Sequence, residues 1–144
     1  MKKISMSQYL GTINAVLDST QKMSSKMDPY FKIFRNALNN NEQIESADYA
    51  DTKEKFAEGI KQYEENLSKL TQAKPPVKII GIHKMFVSHY REFVNACIEM
   101  NKSIDFENES VNKTEFDNAE QLQEQAMDKI NSNVQKIVQN LRLV

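Results

Sequence analysis

Apolar side chains recur at alternating intervals of three and four residues along four long stretches of this sequence, and this spacing constrains the fold most. It places the apolar residues on one face of an α-helix. Only three Gly and three Pro occur among 144 residues, which is too few for the many turns of a sheet protein. The sequence therefore predicts an all-α protein with long helices and few connections.

The first stretch predicts one helix that ends at residues 39–41, where Asn is a tolerable left-handed cap. Pro29 lies inside the apolar pattern, which keeps its phase on both sides. Because proline removes one backbone hydrogen bond, we predict a kink near residues 26–29. The alternative is a break, with Asp28 capping a new helix that begins at Pro29. The predicted apolar face comprises Leu10, Ile13, Leu17, Thr20, Ser24, Met27, Phe31, Phe34 and Leu38, flanked by Val16, Met23 and Tyr30.

The second predicted helix begins between residues 41 and 48 and ends near Gln72. Two consecutive prolines, Pro75 and Pro76, then force an extended and stiff turn. The third helix follows over about residues 77–104. The predicted apolar face of the second helix is Tyr49, Phe56, Ile60, Tyr63, Leu67 and Leu70. That of the third is Ile79, Phe86, Tyr90, Phe93, Cys97, Met100 and Ile104, flanked by Ile80, Val87 and Val94.

Residues 105–111 are polar and acidic and predict a loop before the fourth helix. Either Asn112 or Thr114 caps this helix, with Asp117 three residues after Thr114 in an arrangement similar to a capping box. The predicted apolar face of the fourth helix is Phe116, Ala119, Leu122, Ala126, Ile130, Val134, Ile137 and Leu141.

Four amphipathic segments of this length cannot bury their apolar faces separately, and short connections make successive helices antiparallel. We therefore predict a single domain over residues 1–144 that forms an antiparallel up-down-up-down four-helix bundle. The alternative is an elongated helical hairpin that is completed by a second copy of the chain.

The formal net charge is only -1, so the composition predicts no general attraction to nucleic acid or to anionic membranes. The predicted topology nevertheless separates the charges. Residues 66–91 contain five bases and no acid, whereas residues 105–128 contain eight acids and one base. The predicted basic end collects Lys2, Lys3, Lys69, Lys74, Lys78, Lys84, Lys136 and Arg142.

Four residues near the start of the third helix are the candidate contacts for an anion or a partner: Lys74, Lys78, His83 and Lys84. A cation at a helix start opposes the helix dipole, so Lys78 and Lys84 are not explained by helix stability. His83 has two interpretations. It is either a half-buried ring bonded to a carbonyl or a tyrosine, or a polar group that lines a pocket.

No pattern in the sequence indicates a catalytic, metal or cofactor site. The Glu-x-x-His pairs of di-iron bundles are absent, and His83 and His89 are six residues apart, so they do not share a helix face. Cys97 lies on the apolar face and is interpreted as a core residue. We expect no enzyme activity, no cofactor and no metal.

The segment Pro75-Pro76-Val77-Lys78-Ile79-Ile80-Gly81-Ile82-His83-Lys84, continuing to Tyr90 and Phe93, resembles part of small uncharacterised helical proteins of low-GC Gram-positive bacteria. In those proteins, a proline precedes a helix that opens with His-Lys and continues with aromatic residues. The resemblance covers about twenty residues and implies a helical bundle of bacterial origin. It implies no activity and no site.

These patterns favour a non-catalytic bundle that acts through protein–protein contacts, with an unknown partner or a second copy. The alternative is a binding module for a small anionic or amphipathic ligand near His83 and Lys84. No nucleic-acid partner is expected, because no basic stripe with stacking aromatic residues is present. One Cys, the absence of a long apolar run and the lack of a signal-peptide pattern predict a cytoplasmic protein without a membrane span.

Overall fold

The chain forms four long helices in a computed structural model that describes residues 2–142 and the side chains of residues 6–141. These helices are α1 (Lys2–Asn40), α2 (Ser46–Gln72), α3 (Ile80–Lys102) and α4 (Lys113–Arg142). Each helix packs in antiparallel fashion against the next. The predicted all-α, up-down-up-down four-helix bundle is therefore confirmed.

Helix α1 continues through Pro29 without interruption, which excludes the predicted alternative of a break at Asp28. The kink near Pro29 remains a prediction. The helix ends where the Asn-rich segment predicted its end. Asn41 adopts a left-handed conformation with φ of 53°, and the N–H of Glu42 donates to the carbonyl of Ala37 over 2.8 Å. This backbone hydrogen bond closes the end of the helix.

The turn between α2 and α3 follows the two prolines. Pro76 is extended, and a short 3₁₀ helix, Val77–Ile79, precedes α3. The N–H of Ile79 donates to the carbonyl of Pro76 over 3.0 Å, and the Ile79 side chain is fully buried. Ile79 therefore anchors this end of the bundle, while Val77 points into solvent.

The acidic segment before α4 contains a small structure that the sequence did not predict. Two short strands, β1 (Ile104–Asp105) and β2 (Ser110–Val111), pair in antiparallel fashion. The carboxylate of Asp105 accepts bonds from the backbone and the side chain of Asn108, which closes the turn between them. Such local side-chain bonds favour turns but leave no apolar pattern in the sequence.

Helix α4 is capped by Asn112, whose Oδ1 accepts a bond of 3.0 Å from the N–H of Glu115. The alternative cap at Thr114 is therefore wrong. Asp117 does not act in a capping box, because its carboxylate pairs with Lys113 and Arg35 at 2.9 Å each.

The core confirms the predicted face of α3 and corrects the other three faces. Every position of the predicted apolar face of the third helix is buried, and so is the flanking Val94, but the flanking Ile80 is 38% exposed and Val87 is half-buried. Along the other helices the chain buries residues that the apolar pattern did not include: Tyr9, Ala37, Thr52, Gly59, Asn66 and Asn133. Leu122, which was predicted to be buried, is 50% exposed, because the half-buried Gln123 reaches the carbonyl of Ala96 instead.

The buried side chains form two clusters along the bundle. The first, at the end where α2 turns into α3, is here called the basic half and includes Tyr9, Ile13, Val16, Tyr63, Leu70, Ile79, Phe86, Tyr90, Phe93 and Ile137. The second, at the end that contains β1 and β2, is called the acidic half and consists of Phe34, Tyr49, Phe56, Met100, Ile104, Phe116 and Ala119. The level at which the two clusters meet is called the junction.

A directed chain of hydrogen bonds crosses the basic half. Gln62 donates to Asn66 over 3.1 Å, and Asn66 donates to the hydroxyl of Tyr90 over 3.2 Å. Because the Thr20 hydroxyl gives its proton to the carbonyl of Val16, Tyr90 must donate to Thr20 over 2.7 Å. Thr20, Asn66 and Tyr90 are buried, so this chain joins α1, α2 and α3 inside the core.

A single arginine closes the acidic half between α1 and α4. The guanidinium of Arg35 bonds Asp117 over 2.9 Å and Glu120 over 2.6 Å. It also lies 5.0 Å from the ring centre of Phe116, which stacks on Phe31. Arg35 therefore combines ion pairing with cation–π contact where the first and last helices meet.

Candidate functional site

The candidate site is an open cleft on the surface of the basic half, beside the turn between α2 and α3. Its volume is about 550 Å³. The turn contributes Lys74 and Pro75, and α3 contributes a line of residues at helical spacing. The lining residues from α3 are Ile80, His83, Lys84, Val87 and Arg91.

All charged side chains that line this cleft are basic. They are Lys74, Lys84 and Arg91, and no acidic residue lies among them. Within residues 6–141 none of these three forms an ion pair, although Lys22, Lys32 and other bases elsewhere do. The positive charge of the cleft is therefore not neutralised by neighbouring side chains.

The floor of the cleft is apolar, because the side chains of Pro75, Ile80 and Val87 lie between the bases. Ile80 is 38% exposed, so part of this apolar side chain is open to solvent. The cleft thus combines cationic groups with exposed apolar surface, which suits a ligand that carries both an anionic group and an apolar part.

His83 lies beneath the cleft, and both of its ring nitrogens are used inside the protein. Nε2 donates to the carbonyl of Leu70 over 3.1 Å, since a carbonyl only accepts. Nδ1 is then the unprotonated nitrogen of the neutral ring and accepts from the hydroxyl of Tyr9 over 2.9 Å. Burial lowers the pKa of His83 and so favours the neutral ring, while the hydrogen bond to the carbonyl of Leu70 raises the pKa and offsets part of this effect.

This geometry matches the first of the two interpretations of His83. The ring ties α1 and α2 to α3 through Tyr9 and Leu70, and its nitrogens are occupied. Although His83 lines the cleft, it offers a ligand the surface of its ring rather than a free donor or acceptor.

The structure brings three of the four predicted contact residues together. Lys74, His83 and Lys84 line the cleft, whereas Lys78 is exposed on the 3₁₀ helix outside it. Arg91, which the sequence did not nominate, lies seven residues after Lys84 and therefore on the same face of α3. The seven-residue spacing from Lys84 is the sequence signal that could have identified Arg91. Lys2, Lys3 and Arg142, which were predicted for the same end, lie outside the described side chains.

Two further features bear on other kinds of chemistry: the protonation state of the Cys97 thiol and the placement of side chains that could bind a metal. Burial raises the pKa of the Cys97 thiol to about 12, so it is protonated at neutral pH. In the part of the chain that the structure describes, no three His, Cys, Asp or Glu side chains come together as a metal site requires.

Among the helices of residues 2–142, none has a stretch of sufficient length and apolarity to pass through a bilayer. Comparisons of the chain with protein-family models, with curated proteins and with solved structures found no match. The resemblance of the segment from Pro75 to Phe93 to Gram-positive helical proteins remains a prediction.

Proposed function

We propose that the protein is a non-catalytic binding module for a small amphipathic anion, which it takes up in the cleft of the basic half. The observation that carries the proposal is a set of three bases that surround an apolar floor and form no ion pair within residues 6–141. The anionic group would lie against Lys74, Lys84 and Arg91. The apolar part would cover Ile80 and Val87.

The two parts of the ligand make contributions of different size. An exposed ion pair contributes roughly 0.2–1 kcal/mol, so the bases alone bind a bare anion weakly. Each buried methylene adds about 0.8 kcal/mol, so about five of them exceed the contribution of the charges. After the free-energy cost of association, which is about 4 kcal/mol or more, the expected Kd is on the order of 1–10 mM for a short chain.

Octanoate tests this proposal, with octanol, octylammonium and inorganic phosphate as comparison ligands. Backbone amide NMR shifts of residues 74–91 report on the cleft during each titration. Octanoate is expected to shift them, whereas octanol and phosphate, which each lack one of the two groups, bind at least about fivefold more weakly.

Variants Lys84→Gln and Arg91→Gln are each expected to weaken octanoate binding by up to about fivefold. Lys102→Gln is the matched control, because Lys102 is an exposed base at the opposite end of α3. The proposal is wrong if octylammonium binds in the cleft as tightly as octanoate. It is also wrong if the control variant weakens binding as much as Lys84→Gln does.

Protein–protein contact is the second candidate, and a separate observation favours it. Val77 on the 3₁₀ helix is 83% exposed and Met85 on α3 is 49% exposed, which leaves two large apolar side chains on the surface of the basic half. The acidic segment around Asp105–Glu109 of a second copy has complementary charge.

The mass of the purified protein in solution at low and high salt tests this second candidate. A dimer at low salt that dissociates at high salt supports contact between unlike ends. Val77→Ser and Met85→Ser are expected to weaken it, whereas Leu122→Ser, at an exposed apolar position on α4, is the control. A monomer at both salt concentrations, at the highest soluble protein concentration, rejects self-association.

The proposal also includes a cytoplasmic location and a bacterial origin. The single cysteine supports the location, because the chain does not depend on an oxidising compartment for a disulfide. Nucleic acid is not proposed as a partner, since no Phe, Tyr or Trp side chain lines the cleft to stack on a base.

A further inference from the structure

A second cavity lies at the junction, between α1 and α4, and its volume is about 210 Å³. The cavity exists because small or polar side chains occupy this level of the core on two of the helices. The α1 face has the small polar Ser24 here, and α4 presents Gln123 rather than a large apolar side chain. A junction between two tightly packed clusters therefore retains an open space.

The walls of the cavity are aromatic and sulfur-containing. Phe56, Tyr63 and Phe93 form part of them, together with Met27 and Met100. For comparison, an engineered cavity of about 150 Å³ with apolar walls binds benzene. The junction cavity is thus large enough for one aromatic ring with a short substituent.

The mouth of the cavity is acidic. Asp28, Glu120 and Glu124 are its charged lining residues, and no base lines it. Asp28 is paired with Lys32 at 2.8 Å, and Glu120 is paired with Arg35 at 2.6 Å. Among the described residues only Glu124 of these three has no ion-pair partner.

The surroundings of Glu124 increase its attraction for a cation. Asp128 lies four residues after it on α4, and like charges at this spacing repel one another. A cation bound at Glu124 relieves part of that repulsion. The aromatic walls contribute as well, because the faces of aromatic rings attract cations.

We infer that the junction cavity binds a small organic monocation, in which an aromatic ring carries one ammonium group on a short chain. The ring lies among Phe56, Tyr63 and Phe93, and the ammonium group pairs with Glu124 at the mouth. This ligand has the opposite charge to the one proposed for the cleft of the basic half. The two sites are therefore tested separately.

Phenethylammonium is the probe, and 2-phenylethanol and phenylacetate are neutral and anionic comparison compounds of similar shape. Methyl-labelled methionine makes the NMR measurement specific, because Met27 and Met100 line the cavity. Met85, exposed on the surface of α3, serves as an internal control. The methyl signals of Met27 and Met100 are expected to shift with phenethylammonium, while that of Met85 does not.

Two variants test the contribution of the Glu124 charge and that of the cavity volume separately. Glu124→Gln is expected to weaken phenethylammonium binding about fivefold and to leave 2-phenylethanol unchanged. Glu115→Gln, at another exposed position on α4, is the matched control. Cys97→Met places a larger side chain at the wall of the cavity and is expected to abolish binding of all three compounds.

The inference is overturned if neither cavity methionine shifts with phenethylammonium up to about 10 mM. It is also overturned if phenylacetate binds as well as the cation, or if Glu124→Gln has no effect. Because Glu124 is exposed, that variant folds whether or not Cys97→Met does, so the charge test stands alone.

Discussion

The basic half and the acidic half bury side chains in similar ways but use polar groups differently. In the basic half, uncharged groups form the interior bonds, such as those from Tyr90 to Thr20 and from His83 to Leu70. In the acidic half, Arg35 bonds Asp117 and Glu120, so charged side chains join the helices. The bases of the cleft are consequently left for a ligand, while two acids of the other half already have partners.

This difference explains why the basic half is the better candidate for recognition. Neutral buried bonds fix the rotation and register of the helices without consuming surface charge. An ion pair at the surface, by contrast, neutralises the charge that would attract a partner. Charged side chains that are not engaged in ion pairs within the fold are available to bind a ligand.

Phe116→Ala has the largest expected effect and tests how far the acidic half depends on aromatic packing. The side chain is fully buried, stacks on Phe31 and supports Arg35. We expect a loss of about 3–5 kcal/mol in the free energy of unfolding, measured by urea denaturation. A loss below about 1 kcal/mol would show that this half is held mainly by its ion pairs.

Tyr90→Phe tests the hydrogen-bond chain of the basic half. The change removes the donor to Thr20 and one acceptor for the buried amide of Asn66. We expect a loss of about 1–3 kcal/mol in the free energy of unfolding. Tyr30→Phe is the control, since Tyr30 is only half buried, and it is expected to change the value by less than about 0.5 kcal/mol.

The free energy of unfolding is expected to depend on pH through His83, which lies in the basic half. Its pKa is lowered in the folded state, so the unfolded chain binds a proton first as the pH falls below 6.5, the ordinary value. The contribution of His83 to the free energy of unfolding is therefore fully present above that pH. Below it, the free energy of unfolding falls by at most about 1.4 kcal/mol per pH unit, until the ring also takes up a proton in the folded state. Unfolding measured between about pH 7.5 and pH 5 shows this slope.

The His83→Gln variant is expected to lack the part of the pH dependence that comes from His83, whatever its free energy of unfolding at neutral pH. His89→Gln, which leaves His83 in place, is expected to retain it. Identical slopes in the two variants would contradict the assignment of a neutral, doubly bonded ring at position 83.

Arg35→Met has the smallest expected effect on stability, about 1 kcal/mol, because its partners are partly exposed to solvent. The pKa of Asp117, which Lys113 and Arg35 hold low, is expected to rise but to stay below normal while Lys113 remains. Carboxyl-detected NMR titration measures this shift. Lys22→Met, which breaks only the exposed pair with Asp18, is the control and leaves the pKa of Asp117 unchanged.

The sequence predicted the helices and their order because both follow from apolar spacing and from the scarcity of turn residues. Helix α3 was predicted best, since most of its buried residues are large aromatic or aliphatic side chains at helical spacing. Thr52, Gly59 and Asn66 on α2 were missed, although each is buried. Nothing in an apolar pattern marks a polar or very small residue as part of a core.

Long-range partners are the reason that these positions were not predictable. Asn66 is tolerated inside the core because partners distant in sequence accept hydrogen bonds from its amide: Tyr90, 24 residues away, and Ser19, 47 residues away. His83 likewise depends on Tyr9, 74 residues away. The cleft was partly foreseen from Lys74 and Lys84, but its apolar floor depends on the exact path of the turn after Pro75.

The hydrogen-bond chain from Gln62 to the carbonyl of Val16 also bears on how this chain diverges over evolutionary time. Since the bond from Thr20 to the carbonyl of Val16 makes Tyr90 the donor to Thr20, replacing either of these residues or Asn66 removes a hydrogen bond from a buried neighbour. Thr20, Asn66 and Tyr90 are therefore expected to be inherited as a set in related sequences. Lineages that lose one of them should have exchanged the others for apolar residues.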